Sequence, residues 1–241
     1  MQPAQKALNP KKSVPVTITH MVSPYCFYAQ EVSENFASLV ENMQIHYCQR
    51  DRVPLKNPEV GKVCVAKYSE DQAWYRARIK EINYIQRTIR VFFIDYGNED
   101  VLPLSAQESL LCEIIDEFKE MRPMALKCSL QGIEPIQFSN VTSTEIVDFM
   151  FAEMGERVLA RFMGASGDLS YVDIDFEQET PGGNTAKLVN LKSLLVEKKF
   201  AQFASIMNPK EFSDKLEKLS GIDQIMNQNK IMMDNVKYRH S

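Results

Sequence analysis

Cysteine is scarce in this 241-residue sequence, and its five cysteines form no recognisable framework. Cys26, Cys48, Cys64, Cys112 and Cys128 lie far apart, and none belongs to a C-x-x-C pair. An odd number of isolated cysteines argues against both a disulfide scaffold and a cysteine-rich zinc site. Most of them have apolar neighbours, so we expect reduced thiols in the core, as is usual in a reducing compartment.

Long hydrophobic runs are missing as well. No stretch of about 18 consecutive apolar residues occurs, which argues against a membrane-spanning helix. Residues 1–12 are polar and have no apolar centre, so we expect no secretory signal. The net charge of −4 argues weakly against a protein that binds nucleic acid through its phosphates, because such proteins usually carry a basic excess.

Recognisable catalytic machinery is also lacking. The three histidines, His20, His46 and His240, have no partner at metal-ligand spacing, and the sequence holds no G-x-S-x-G, H-E-x-x-H, P-loop or G-x-G-x-x-G motif. Asp173 and Asp175 point to the same side of a predicted strand, but a solvated strand face places acids in this way more often than a metal site does. We therefore expect no enzyme activity, no cofactor and no metal.

What the sequence does contain is a dense series of short β-type segments. Residues 14–30 predict two strands around a turn at Ser23-Pro24, and an amphipathic helix capped by Ser33 follows them. The next strands are predicted over 60–68, 74–83, 88–96 and 99–104. Strands this short and this close together predict a compact barrel. Because about 50 residues are marginal for an independent core, we expect the barrel to rely on the rest of the chain.

The second half of the chain predicts helices and strands in alternation. Ser105 and Glu108 form an S-x-x-E capping box that opens the first of these helices. The predicted segments are a helix over 105–121, a strand over 124–130, a helix opened by the capping box of Thr142 and Glu145, a hairpin of 157–163 and 169–176, and a tail after 208 compatible with an amphipathic helix. The order of segments indicates two β-rich units, one of which interrupts the other.

The segment 68–98 carries the most specific pattern of the chain. Its letters read Tyr68, then W-Y-R-A at 74–77, then F-F-I-D-Y-G-N at 92–98. W-Y-R-A followed by F-I-D-Y-G-N resembles the Tudor domain. The layout of residues 14–205 resembles the extended Tudor domain of the germline Tudor-domain protein family, in which a Tudor barrel is inserted into a staphylococcal-nuclease-like OB fold.

The resemblance implies a β-rich α+β fold class: a five-stranded Tudor barrel inserted into a nuclease-like OB fold and joined to it by a long helix. The implied boundaries are 14–54 for the first part of the OB fold, 55–104 for the Tudor barrel, 105–122 for the connecting helix, 123–205 for the second part of the OB fold and 206–241 for a C-terminal tail. A nuclease would need clustered carboxylates and paired arginines. The two OB segments hold no such set, so we expect this half to be inert and to complete a peptide groove.

The same resemblance implies a binding site for methylated arginine, usually symmetric dimethylarginine. The cage of four aromatic rings and one asparagine falls on Tyr68, Tyr75, Phe93, Tyr96 and Asn98. A dimethylated guanidinium keeps its charge but loses hydrogen-bond donors and gains methyls, so it leaves water more easily than plain arginine does. An aromatic face stabilises such a cation by about 0.5–2 kcal/mol, and each buried methyl adds roughly 0.8 kcal/mol. The asparagine can accept a hydrogen bond from a remaining N–H.

Other residues of the segment 68–98 are expected to have structural roles instead of binding the ligand. Barrel core is expected for Trp74, Phe92 and Ile94. Asp95 is expected to pair with a barrel arginine, either Arg76 or Arg78. Because Phe93 and Tyr96 are three residues apart, both can face one pocket only if the strand end twists into the turn, which Gly97 permits through its tolerance of positive φ.

The resemblance implies a non-enzymatic adaptor of the piRNA pathway. Its expected partners are Arg-Gly- or Arg-Ala-rich peptides, in particular the arginine-methylated tails of Piwi-type Argonaute proteins, in cytoplasmic, perinuclear germ-cell granules. Two alternatives stay open: a protein-interaction scaffold that binds unmethylated peptide, and a single-stranded RNA binder that uses the OB half. We expect no membrane binding, and the net charge disfavours direct binding of nucleic acid.

Overall fold

A computed structural model describes residues 12–49, 52–136, 140–155, 157–179 and 186–204. The C-terminal tail predicted over 206–241 lies outside these residues. No helix among the described residues has both the length and the apolar character that crossing a membrane requires.

The described residues are mainly β-structure. The strands are β1 (Ser13–Ser23), β2 (Cys26–Glu31), β3 (Val63–Lys67), β4 (Trp74–Asn83), β5 (Thr88–Phe93), β6 (Glu99–Pro103), β7 (Leu111–Cys112), β8 (Leu126–Leu130), β9 (Ile133–Glu134), β10 (Val158–Ser166), β11 (Leu169–Glu179), β12 (Ala186–Asn190) and β13 (Gln202–Phe203). The α-helices are α1 (Glu34–Tyr47), α2 (Gln107–Leu110), α3 (Asp116–Lys119), α4 (Ser143–Glu153) and α5 (Leu191–Glu197). This content agrees with the predicted β-rich α+β class.

The chain divides into two compact units. One unit consists of Thr17–His20 and Tyr28–Leu126. The other contains Met21–Phe27 and, within the described ranges, 12–16 and 127–204. The long strands β1 and β2 contribute residues to both units, as expected when one β-rich unit interrupts another.

The larger sheet has the strand order β10-β1-β2-β8-β11-β12, and β10 also pairs with β11. This extra pairing closes five strands into a barrel, with β12 attached outside it. β11 runs parallel to β8, whereas its pairings with β10 and β12 are antiparallel. Val172, Ile174 and Phe176 alternate along β11 and are fully buried, as expected for the inward face of a strand. A closed five-stranded barrel of this kind is typical of OB folds.

The second sheet has the order β6-β5-β4-β3-β7 and forms the predicted five-stranded barrel. Its interior is built by alternate residues: Ala77 and Ile79 of β4 and Ile89, Val91 and Phe93 of β5 are at most 1% exposed. The residues between them point outwards, because successive side chains of a strand lie on opposite faces. Period-two alternation therefore places these five residues inside the barrel. The expectation that Phe92 belongs to the barrel core is wrong, because it lies between Val91 and Phe93 on the outer face, where it is partly buried against the Tyr28 ring.

The predicted long helix over 105–122 is wrong. A 3-10 turn (Leu104–Ala106) leads into α2, the chain then extends as β7, and α3 follows after another three residues. Leu111 and Cys112 are fully buried and pair with Ala66 and Val65 of β3. Pairing with the barrel edge thus overrides the helical spacing of leucine and isoleucine in this stretch. The predicted capping box at its start is absent, since α2 begins without a side-chain cap.

The other predicted helix starts are confirmed. The Ser33 side chain accepts a hydrogen bond from the amide of Phe36 and caps α1. Thr142 and Glu145 form a reciprocal capping box at α4, which satisfies two backbone N–H groups that the helix itself leaves free. These caps are local in sequence, so the sequence alone places them correctly.

Trp74 is buried, as predicted, but outside the barrel interior. It packs in a cluster with Phe36 and Tyr47 of α1 and with Phe118 of α3. Helix α1 and the segment after the barrel therefore cover the outer face of β4.

Arg76 and Asp95 form a fully buried ion pair that links the barrel to the segment after it. Two hydrogen bonds of 2.8 Å and 2.5 Å join the guanidinium to both carboxylate oxygens. The same guanidinium donates to the carbonyl groups of Phe118, Met121 and Arg122. Of the two predicted partners of Asp95, Arg76 is confirmed. Removing one member of such a pair typically costs about 3–5 kcal/mol, because the other charge stays buried without compensation.

Candidate functional site

The structure brings the five residues of the predicted cage together in one pocket of about 250 Å³. Phe93 ends β5 and forms the floor, at only 1% exposure. Tyr75 lies on β4, and Tyr68 directly follows β3. Tyr96 and Asn98 lie in the turn between β5 and β6 and complete the wall.

Four pairs among these rings are in contact, and the two rings of each pair stand nearly perpendicular to each other. The ring centroid of Tyr75 lies 5.0 Å from that of Tyr96, 5.9 Å from that of Phe93 and 6.4 Å from that of Tyr68. Tyr68 and Phe93 are 5.2 Å apart, and all four pairs have interplanar angles between 72° and 80°. Rings in edge-to-face contact support one another and leave ring faces free to line a cavity, which parallel stacking would cover.

The turn after β5 brings Phe93 and Tyr96 into the same pocket, although residues three apart along a flat strand would face opposite sides. The amides of Tyr96 and Gly97 both donate to the Phe93 carbonyl group, and the Phe93 amide donates to the carbonyl group of Asn98. Gly97 has φ +88°, and a Cβ there would lie 2.0 Å from Cγ of Tyr28. The chain therefore curls tightly enough to turn Tyr96 and Asn98 back towards the pocket, which a residue with a side chain at 97 would obstruct.

Residues 8–132, just over half of the chain, match the Tudor domain family. This chain belongs to that family. Tudor domain-containing protein 1 of Mus musculus is 35% identical over 136 residues, which are 54% of this chain and 11% of that protein. The Tudor and KH domain-containing protein homolog of Drosophila melanogaster is 28% identical over 170 residues, 64% of this chain and 29% of that protein. The chain thus spans a minor part of the relatives it matches.

Solved extended Tudor domains share its fold. Extended Tudor domain TD3 of mouse TDRD1, in complex with a MILI peptide containing dimethylarginine, superposes with a TM-score of 0.69 at 20% identity and covers 85% of this chain and 100% of the domain. A variant of the Papi extended Tudor domain of Drosophila melanogaster, in complex with a Piwi N-terminal R10me2s peptide, gives 0.64 at 23% identity, with coverages of 80% and 100%. The extended Tudor fold predicted from the sequence is confirmed.

The Tudor pocket presents neutral phenols. Burial raises the pKa of Tyr75, and its hydrogen bond to Asp71 raises it further. Burial, followed by the charge of Asp95, raises the pKa of Tyr96 to about 12. Burial also raises the pKa of Tyr68. These hydroxyls therefore stay protonated at physiological pH, and the rings attract a cation through their quadrupoles without forming an ion pair.

Asn98 adds a directional group to this wall of rings. Its Oδ1 is buried and has no hydrogen-bond partner among the residues that the structure describes. A buried acceptor without a partner is costly, and a donor on a ligand would remove that cost. A guanidinium N–H supplies such a donor.

Three further residues line the pocket, and the sequence pattern did not predict them. Thr19 and His20 come from β1, which is distant in sequence, and Asp71 comes from the loop between β3 and β4. The Thr19 hydroxyl donates to the Tyr96 carbonyl group over 2.6 Å and so holds the turn. Burial lowers the pKa of His20, so the imidazole is neutral at physiological pH and does not repel a cation. Asp71 lies only four residues before Tyr75, so among these three residues it is the one that a local sequence pattern could have indicated.

The acidic pair on the OB half is occupied by protein groups. Arg161 lies 3.6 Å from Asp173 and 3.1 Å from Asp175, and the Asn190 amide donates to both carboxylates. Lys192 approaches Asp173 to 3.1 Å. Within the described ranges no group of three or more His, Cys, Asp or Glu is arranged to hold a metal ion. These two aspartates therefore act as partners of cations in a structural network.

Proposed function

We propose that this chain is a non-enzymatic reader of symmetric dimethylarginine in Arg-Gly- or Arg-Ala-rich peptides. The cage is the main observation in support: four rings in edge-to-face contacts, one unpartnered amide oxygen and a pocket of about 250 Å³ in a Tudor barrel. The flat, charged and poorly hydrated dimethylguanidinium matches each of these features. Lysine cannot imitate its planar shape.

Piwi-type Argonaute tails are the partner class that we propose. Support comes from two solved relatives of the same fold, mouse TDRD1 with a MILI peptide and Drosophila Papi with a Piwi N-terminal peptide. In this proposal the chain acts as an adaptor of the piRNA pathway in cytoplasmic germ-cell granules. The boundaries 14–54, 55–104, 123–205 and 206–241 given in the sequence analysis belong to the same proposal. The connecting helix over 105–122 does not, because α2, β7 and α3 occupy that stretch.

Titration calorimetry with matched peptides tests the proposal. One Arg-Ala peptide, unmethylated or symmetrically dimethylated, is titrated into the wild-type chain, Tyr96→Ala and Tyr84→Ala. We expect micromolar affinity for the methylated peptide, because one caged side chain has to offset the ordering of a flexible chain. Losing the Tyr96 ring should weaken binding about tenfold, since a cation–π contact of about 1–2 kcal/mol disappears.

Tyr84→Ala is the matched control. Tyr84 is 74% exposed on the turn between β4 and β5 and does not line the pocket, so its loss should leave affinity unchanged. Equal binding of both peptides to all three proteins would reject the reader. Tight binding of the unmethylated peptide that ignores Tyr96→Ala would favour the scaffold alternative, and binding of single-stranded RNA in place of peptide would favour the OB alternative.

A further inference from the structure

Asp71 stands at the rim of the pocket with both carboxylate oxygens engaged. Its Oδ1 accepts the backbone amide of Ala73 over 2.9 Å, and its Oδ2 accepts the Tyr75 hydroxyl over 2.7 Å. From this geometry we infer that Asp71 has two roles at the methylarginine site: it positions the Tyr75 ring, and it serves as the counter-ion of the bound guanidinium. The inference rests on the proposed function and deepens it.

The positioning role follows from the place of Tyr75 among the rings. Tyr75 is in edge-to-face contact with Tyr68, Phe93 and Tyr96 and therefore sits at the centre of the cage. Its phenol can rotate little once the hydroxyl is bonded to a carboxylate that a backbone amide also holds. A hydrogen bond to a charged acceptor is roughly twice as strong as a neutral one, which makes Asp71 a firm anchor.

The counter-ion role follows from the charges of the lining. Among the described residues that line the pocket, Asp71 is the one with an acidic side chain. The phenols are neutral, because burial raises the pKa of both Tyr75 and Tyr96. Asp95, close in sequence, is engaged with Arg76 in the interior. Asp71 is exposed, so its attraction for a bound cation should weaken as salt is added.

Four variants separate the two roles: Asp71→Asn, Asp71→Ala, Tyr75→Phe and the double variant Asp71→Ala/Tyr75→Phe. Asparagine keeps one acceptor oxygen for the Ala73 amide and puts an NH2 group in place of Oδ2, where it can donate to the Tyr75 hydroxyl oxygen, but it removes the charge. Alanine removes both functions. Phenylalanine keeps the ring and removes its anchor. Glu59→Gln is the control for charge alone, because Glu59 is exposed and lies outside the pocket.

Affinities for the symmetrically dimethylated Arg-Ala peptide are measured by fluorescence anisotropy at low and at high salt, with thermal unfolding of each variant as a check of folding. At low salt we expect Asp71→Asn to weaken binding about two- to fivefold, with the loss fading at high salt. Asp71→Ala should weaken it about tenfold at low salt and about two- to fivefold at high salt, where only the loss of ring positioning remains. Tyr75→Phe should weaken binding in the wild-type background and have no further effect in Asp71→Ala.

Binding by folded Asp71→Ala within twofold of the wild type overturns the inference. A Tyr75→Phe loss of equal size in both backgrounds overturns the positioning role, and an Asp71→Asn loss that is matched by Glu59→Gln overturns the counter-ion role. The proposed function fails differently: the wild type would then bind methylated and unmethylated peptides alike and tolerate Tyr96→Ala, which removes both claims together.

Discussion

At the scale of single residues, the pocket depends on groups that stay uncharged next to a cation. His20 illustrates the constraint, because an imidazole in the lining is compatible with a bound guanidinium only while it is neutral. Burial lowers its pKa below the ordinary value of 6.5, since desolvation penalises the charged form. Burial in the tertiary structure thus keeps His20 uncharged, so its imidazole does not repel a cationic ligand.

For the proposed methylarginine reader, a pH dependence of binding follows from this residue. As pH falls from 7.5 through this lowered pKa, His20 gains a proton, and its positive charge repels the ligand, so affinity should drop about threefold or more. Above the lowered pKa the residue is neutral and affinity should be level. Calorimetry across this range measures the effect. The dependence should vanish in His20→Gln and persist in His46→Gln, because His46 lies outside the pocket; an unchanged profile in His20→Gln would contradict the argument.

At the scale of elements, the turn between β5 and β6 decides whether the cage exists. It presents Tyr96 and Asn98 and bends sharply at Gly97, where φ is +88° and the Tyr28 ring lies against the backbone. The Thr19 hydroxyl and the Gln30 amide hold the turn by donating to the carbonyl groups of Tyr96 and Asp95. Side chains from β1 and β2 thereby support a turn of the inserted barrel.

Gly97→Ala should destabilise the protein and weaken the cage, whereas Gly61→Ala should show the backbone effect alone. Both glycines have φ +88°, but a Cβ at Gly61 meets no atom within 4 Å, and a Cβ at Gly97 collides with Tyr28. We expect Gly61→Ala to lower the free energy of unfolding by about 1–2 kcal/mol, and Gly97→Ala to lower it by clearly more, because the ring has to move as well. Urea unfolding measures both; equal losses would show that the Tyr28 contact costs nothing.

At the scale of the whole molecule, the inserted barrel is not self-sufficient. Its fifth strand, β7, comes from beyond the predicted domain boundary at residue 104, and Leu111 of that strand is completely buried in the barrel core. Trp74, on the outer face of β4, is covered by residues of α1 and α3. Arg76 donates three hydrogen bonds to carbonyl groups within 118–122. The barrel therefore needs sequence on both sides of it.

A fragment of residues 55–104 should not fold by itself. It would lose β7, expose Trp74 and leave the Arg76 guanidinium without three of its acceptors, and roughly 50 residues bury too little apolar surface to offset these losses. The whole chain should show a cooperative urea transition under the same conditions. Circular dichroism and the dispersion of amide signals in NMR spectra distinguish the two, and a cooperative transition in the fragment would contradict the prediction.

The sequence determined the features that depend on local chemistry. The W-Y-R-A and D-Y-G-N elements led to five residues that the structure gathers in one pocket. The caps at Ser33 and Thr142 follow from hydrogen bonds between residues three positions apart. Such signals are carried by neighbours in the chain, so they can be interpreted without the fold.

Only the tertiary structure decided the features that depend on distant partners. Residues 111–112 have helical spacing but form a strand, because an unpaired edge of β3 offers them hydrogen bonds and full burial. Thr19 and His20 join the pocket through the path of β1, and no local pattern connects them with Tyr96. Hydrogen bonding and desolvation act between groups that folding brings together, and for that reason the neutral phenols and the neutral imidazole of this pocket could not be derived from the sequence alone.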